Sequence, residues 1–226
     1  MTGNFPLPDG VRIDDEGVWN QVFRAEPFAS GPPALFLDRD GVVVEEVNYL
    51  HRVEDVRLCP GAGSVIRRAG AIGVAVVIVT NQAGIVYGYY EWHDFALVQE
   101  RILAELAAEG AHVDAVYACA HHREGRAPYQ HPDHPARKPN PGMLLRARDQ
   151  LGIDLAASWI VGDRASDLDA GRRAGLAGGL HVTTGHGGDD GEVAAALALA
   201  REDFLTTSAG GIAEALDGLP LLRETR

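Results

Sequence analysis

An apolar run, Ala34-Leu35-Phe36-Leu37, ends abruptly in Asp38-Arg39-Asp40-Gly41. The run reads as a buried strand that Gly41 brings to a stop. Carboxylates at i and i+2 of an extended segment point to the same side. Two like charges so close repel, and one tends to hold its proton unless a cation sits between them. A nucleophilic carboxylate beside an acid/base carboxylate, bridged by a hard cation, is what phosphoryl transfer through an aspartyl-phosphate requires. Taken alone, the same run also suits a strand that ends in a polar turn.

The elements around this run decide between the two. From Ala34 the chain repeats strand, loop and helix. Strands are predicted over 34–38, 74–80, 115–119, 159–162 and 180–183. The β-branched run at 74–80 is typical of a strand buried on both faces. Helices are predicted from Pro60 to about Ala69, over roughly 92–109 with Phe95, Val98, Ile102 and Leu106 on one face, from Pro141 to Gly152, and from the fourth strand to near Gly175. A Gly-rich loop covers 83–88, and a long loop rich in His and Pro covers 120–138. The tail holds an Ala/Leu helix at about 191–201, a short apolar segment at 204–206 and a last helix near 211–217. This alternation predicts an α/β fold with a doubly wound parallel sheet, whose ligands bind at the carboxyl ends of the strands. Residues 1–31 are acidic and rich in Pro and Gly. They read as an extension that wraps a single domain over 32–226, with Trp19, Val22 and Phe23 as anchors and one short helix around 17–24.

Composition narrows the function classes. The 226 residues are 46% hydrophobic, enough for one sizeable core. A net charge of -12 argues against non-specific nucleic-acid or anionic-membrane binding. It leaves room for an anionic substrate, because a local cluster of Lys, Arg and metal can outweigh the global field. Cys59 and Cys119 are the only cysteines, so there is no disulfide framework, and a reducing cytoplasm is the simplest location. The first twenty residues lack a basic start followed by an apolar stretch, and the longest apolar runs are too short to span a bilayer. A monomer or weak dimer is expected.

Four segments fall at predicted strand ends, in order: Asp38-Arg39-Asp40-Gly41, Thr80-Asn81-Gln82-Ala83-Gly84, Arg137-Lys138-Pro139-Asn140-Pro141-Gly142 and Gly162-Asp163-Arg164-Ala165-Ser166-Asp167. Over roughly 34–186 this set resembles the haloacid dehalogenase (HAD) superfamily of phosphatases. On that resemblance Asp38 is the nucleophile and Asp40 the general acid and then base. Thr80 and Asn81 donate hydrogen bonds to the phosphoryl oxygens, and Lys138 neutralises developing charge. Asp163 holds Mg²⁺ together with Asp38 and the main-chain carbonyl of Asp40. Asp167 either orients Asp163 or a metal-bound water, or is a helix N-terminal carboxylate favoured by the macrodipole.

Within the superfamily the chain most resembles the D-glycero-D-manno-heptose 1,7-bisphosphate phosphatases, grouped with the histidinol-phosphate phosphatases. The resemblance is carried by Leu37-Asp38-Arg39-Asp40-Gly41, Asn48-Tyr49, the run from Val79 to Ile85, Cys119-Ala120-His121-His122 and the run from Arg137 to Leu144. It implies no large cap domain, removal of the C7 phosphate from a small phosphorylated sugar that feeds surface-glycan synthesis such as lipopolysaccharide, and contact of Arg137 with the remaining phosphate. Other readings are histidinol phosphate or another sugar phosphate as substrate, or a phosphate-binding scaffold without turnover; a nucleic-acid 3′-phosphate is disfavoured by the acidic charge. The resemblance also implies a structural zinc on the loop before Arg137, bound by Cys-x-His and Cys-x-Cys. Here Cys119 and His121 are present, whereas the second pair falls on His134 and Ala136, and alanine cannot ligate. His134 remains a ligand, with His131 or His122 as a fourth; the other reading is a loop without zinc that packs on its prolines. Tyr87, Tyr89, Tyr90 and Trp92 either line the substrate pocket or pack the following helix, and His181 and His186 read as bystanders.

Overall fold

The computed structural model describes residues 7–8 and 10–223. Its strands are β1 (Val11–Ile13), β2 (Val18–Val22), β3 (Pro33–Leu37), β4 (Ala75–Asn81), β5 (Ala115–Cys119), β6 (Asp154–Gly162), β7 (Gly178–Val182) and β8 (Leu205–Ala209). All eight form one sheet in the order β1-β2-β5-β4-β3-β6-β7-β8. The six strands from β5 to β8 in that order run parallel, and the β1–β2 hairpin adds antiparallel to β5. The helices are α1 (Ala62–Ala71), α2 (Ala83–Tyr87), α3 (Trp92–Ala108), α4 (Gly142–Leu151), α5 (Ala165–Ala174), α6 (Glu192–Leu197) and α7 (Ala215–Gly218).

The sheet carries a core on each face, as a doubly wound fold requires. One contains Leu35, Leu37, Ile78 and Val161 against α1 and α3; the other contains Phe36, Val77, Val79 and Ile160 against α4 and α5. Successive residues of β3 and β4 thus alternate between two buried faces, which explains their continuous apolar runs. No helix among the described residues is long and apolar enough to cross a membrane.

Five expectations are corrected. Residues 18–22 form a strand paired between β1 and β5 rather than a helix. Asp14 Oδ1 accepts hydrogen bonds from the amides of Glu16 and Val18 to build the turn before it. Trp19 is an anchor, stacked 5.4 Å from Trp92 and edge-on at 5.0 Å to Phe95, but Phe23, just past the strand, is exposed. The Gly-rich loop at 83–88 contains the short helix α2, closed by Gly88 in the left-handed conformation. The apolar segment at 204–206 opens the eighth strand, and the fourth predicted strand begins five residues earlier than expected, at Asp154.

Candidate active site

The parallel register sets Leu37 level with Ile78 on one side and Val161 on the other. Residues that follow β3, β4 and β6 therefore emerge together at one edge of the sheet. Asp38 stays in register there, its amide donating to Val161 O at 2.9 Å. Lys138 reaches the same point from the long loop after β5. Asn81, the last residue of β4, fixes it: Asn81 Oδ1 accepts from the Lys138 amide and Nδ2 donates to the Lys138 carbonyl, both at 3.1 Å. The Asn81 side chain thus holds the lysine loop, and no described hydrogen bond uses its second Nδ2 proton. Thr80 Oγ1 accepts from Gln82 Nε2 at 2.8 Å, which leaves its own proton to donate.

All three protons of the buried Lys138 ammonium have an acceptor. Nζ lies 2.9 Å from Asp38 Oδ1, 2.9 Å from Asp167 Oδ1 and 2.9 Å from Val79 O. Asp167 Oδ2 meanwhile accepts the Arg164 amide at 3.0 Å and caps the start of α5, the helix N-terminal role read for it, while Oδ1 holds Lys138. The Arg39 amide adds a 2.7 Å bond to Asp38 Oδ1, and no described hydrogen bond falls on Asp38 Oδ2. Asp163 Oδ2 accepts the His186 amide at 2.8 Å, and His181 Nε2 sits 3.0 Å from the Asp163 carbonyl. Gly41, at φ 81°, admits this approach: a Cβ there would lie 2.5 Å from Asp163 Oδ2.

Electrostatically the site is short of positive charge. Ligand oxygens of Asp38, Asp163 and Asp167 lie within 4.8 Å of one another, all buried, against one lysine. Burial, only partly offset by Lys138, pushes the Asp38 carboxyl well above its ordinary range. Burial and the neighbouring Asp167 charge push Asp163 up to about 7. Hard oxygen donors this close, with more charge than their lysine neutralises, fit a Mg²⁺ ion. Asp40 stands apart from that group: its carboxylate is held by Arg39 and Gln82.

These residues open onto a cavity of about 770 Å³. His122, Arg123, Arg137, Tyr87 and Tyr90 also line it. Arg137 Nη1 donates to the His121 carbonyl at 3.0 Å, and burial together with nearby Arg123 and Arg164 holds the guanidinium below its ordinary value. Arg123, Arg137 and Arg164 thus line the same cavity as the carboxylate cluster, together with the acidic Glu124 and Asp133. Tyr87 donates to or accepts from His122 at 2.8 Å, Tyr89 is exposed beside Tyr49, and Trp92 packs inward. The aromatic run is therefore divided between lining and packing.

A second cluster lies behind the cavity wall. Cys119 Sγ is 3.9 Å from both His121 Nδ1 and His134 Nδ1, and all three side chains are buried. Burial drives His121 down to about 4, with the other histidines adding to the effect, lowers His134, and raises the Cys119 thiol to about 11. Neutral imidazoles and a thiol awaiting deprotonation are the ligand types zinc takes. Of the two fourth-ligand candidates, His131 has its ring 5.1 Å from that of His134, whereas His122 is engaged by Tyr87.

Sequence reading gave Arg39 and Gln82 no role, read Tyr90 only as pocket lining or packing, and placed His181 and His186 among bystanders although both touch Asp163. Arg39 and Gln82 join Asp40 and Thr80 nearby, but the bond between them spans 43 residues and the contacts of His181 and His186 to Asp163 span 18 and 23, which no local spacing marks.

A HAD-hydrolase-like family model matches residues 135–206. A D-glycero-beta-D-manno-heptose-1,7-bisphosphate 7-phosphatase of Mesorhizobium japonicum is 46% identical over 170 residues, covering 75% of this chain and 78% of its own. This chain belongs to the HAD-like phosphatases. It is accordingly a phosphoric monoester hydrolase. The alpha-anomer enzyme of Photorhabdus laumondii is 39% identical over 67% of this HAD-like phosphatase and 82% of its own length. Among solved structures, a putative HAD-like phosphatase from Mesorhizobium loti superposes with a TM-score of 0.80 at 37% identity, covering 98% and 99% of the two chains. The D,D-heptose 1,7-bisphosphate phosphatase of B. bronchiseptica, complexed with magnesium and phosphate, gives 0.67 at 28% identity, covering 83% of this chain and 97% of its own.

Proposed function

We propose that this phosphatase removes the C7 phosphate of D-glycero-D-manno-heptose 1,7-bisphosphate through a phosphoaspartate on Asp38. The observation that carries the reading is the pairing, in one cavity, of an anion-rich cluster at Asp38 with a cation-rich wall at Arg137, which suits a substrate with one phosphate cleaved and one retained. The heptose-1,7-bisphosphate 7-phosphatases among its relatives support the reading.

In the first step Asp38 Oδ2 attacks phosphorus, the bond from phosphorus to the sugar oxygen breaks, and Asp40 gives its proton to that oxygen. In the second, water attacks phosphorus, Asp40 takes the water proton, and the bond from phosphorus to Asp38 breaks to release phosphate. Lys138 holds Asp38 Oδ1 throughout, so the carboxylate presents one oxygen. Asp38, Asp163, Asp167 and the main-chain carbonyl of Asp40 are the groups that would hold Mg²⁺, which when bound offsets the charge of the phosphoryl oxygens and the carboxylates. Arg137 binds the retained phosphate with its planar fork.

We also propose that Cys119, His121, His134 and His131 hold a structural zinc that braces the loop carrying Arg137 and Lys138. Metal analysis should then find roughly one zinc per chain, and none in Cys119→Ser. The test of the function is phosphate release with Mg²⁺ from both anomers of heptose 1,7-bisphosphate, fructose 1,6-bisphosphate, histidinol phosphate and p-nitrophenyl phosphate. A large kcat/KM preference for one heptose anomer is expected. Flat, weak activity across the panel would place the substrate outside this class.

A further inference from the structure

The Asp40 carboxylate sits in a hydrogen-bond network whose other members have no role in the chemistry above. Arg39 is fully buried, its guanidinium 5.2 Å above the Phe95 ring. Its Nε and Nη2 lie 3.0 and 2.8 Å from Asp40 Oδ1, and Nη2 lies 2.9 Å from Oδ2. Gln82 Nε2 donates to Asp40 Oδ2 at 2.9 Å and to Thr80 Oγ1 at 2.8 Å. Gln82 Oε1 accepts from Arg39 Nη2 at 3.2 Å and from the Tyr90 hydroxyl.

This arrangement fixes the amide's direction. Arginine has no acceptor, so the oxygen of Gln82 must face Arg39 and the nitrogen must face Asp40. Both protons and both lone pairs of the Gln82 amide are used, by four partners drawn from β4, the turn after β3, and Tyr90 ahead of α3. Arg39 Nη1 is buried without a hydrogen-bond partner, but the Gln82 amide itself is fully satisfied, and a satisfied buried amide is held in one geometry. Thr80 and Asp40 are thereby tied to one rigid amide. The Arg39 backbone holds Asp38 while its side chain holds Asp40, so one residue sets the spacing of the two carboxylates.

We propose that Gln82, locked by Tyr90 and Arg39, is a positioning residue that aims the Asp40 carboxyl at the leaving oxygen; this rests on Asp40 being the acid and base of the reaction. The consequence is a dependence on the leaving group. A sugar alkoxide needs a proton as it departs, whereas p-nitrophenolate leaves without one. Disordering Asp40 therefore slows the first step for a sugar phosphate far more than for p-nitrophenyl phosphate. A role confined to holding the fold would slow both alike.

The experiment is single-turnover cleavage with enzyme in excess, comparing p-nitrophenyl phosphate with the best sugar phosphate of the panel above. The proteins are wild type, Asp40→Asn, Gln82→Met and Tyr90→Phe. For Gln82→Met the sugar-phosphate rate should fall about 10- to 100-fold, within the range that general acid catalysis supplies, with the p-nitrophenyl phosphate rate within about threefold and KM little changed. Tyr90→Phe, which keeps the amide and removes one of its anchors, should show the same split at smaller size. It carries the test alone if Gln82→Met does not fold. Equal losses on both substrates, or no loss, in these variants while Asp40→Asn shows the split would overturn the positioning role. Absence of the split in Asp40→Asn itself would overturn the acid/base reading and the proposal with it.

Discussion

Replacing Asp163 with asparagine should stabilise the metal-free protein at alkaline pH while removing its activity. Asp163 is almost fully buried and raised from an ordinary 3.8 to about 7, first by burial and then by the Asp167 charge. Each pH unit between the folded and unfolded values is worth about 1.4 kcal/mol, so ionising this group in the folded protein costs at most about 4 kcal/mol. The folded state binds more protons than the unfolded chain between about pH 4 and 7, so stability falls as pH rises through that window. His121 works in the opposite sense. Its value is depressed to about 4, so its contribution is gained as pH rises from there towards 6.5, and the raw pH profile of the wild type mixes the two. The difference between wild type and Asp163→Asn reports this carboxylate together with the relief of its repulsion on Asp38. Asparagine keeps an oxygen for the His186 amide and carries no charge. Urea unfolding with chelator should show the variant more stable by about 2–4 kcal/mol at pH 8, shrinking to about 1–2 kcal/mol at pH 5. Mg²⁺ at pH 8 should then stabilise the wild type and leave the variant unchanged. A variant less stable than wild type at pH 8, or an advantage that grows towards acid, would refute the view that these carboxylates are held together short of a cation.

Three further outcomes are expected. Asp38→Asn should lower turnover by at least about 10³-fold while the protein stays folded, as circular dichroism and phosphate release would show, because the charge lost is one that burial already disfavours. Lys138→Met should destabilise the metal-free protein by about 3–5 kcal/mol in denaturant titration, since it strands Asp38 and Asp167, and Asp38→Asn in the same chain should restore part of that loss. Arg137→Met should cut kcat/KM about 10- to 100-fold for a sugar bisphosphate and much less for a monophosphate; equal losses on the two would remove Arg137 from the retained phosphate.

Much of this site was legible in the chain because its chemistry sits at strand ends. A parallel sheet aligns such ends whatever the loops do, so Asp38, Thr80 and Asp163 converge once their strands are recognised, while their roles were read from the family resemblance. Lys138 was legible through the segment around it, and the sheet then supplied its partners. The β1–β2 hairpin was not legible: Trp19, Val22 and Phe23 have helical spacing, and only pairing with β5 makes Val18–Val22 a strand. Gln82 reads as one polar residue in a loop, and its meaning depends on Arg39, 43 residues back, and Tyr90, eight residues on. His181 and His186 likewise acquire a role only when the loop after β7 folds back onto Asp163. Local pattern reports elements and strand ends, while networks that join several elements become visible only in three dimensions.

The central claim is covalent transfer of phosphate to Asp38. Wild-type protein should be mixed with substrate, quenched during turnover, reduced with borohydride and digested for mass spectrometry. The account predicts conversion of residue 38 to homoserine, dependent on substrate and Mg²⁺ and absent from Asp38→Asn. Turnover at full rate with residue 38 recovered only as aspartate, or reduction found at Asp40 or Asp163 instead, would contradict it.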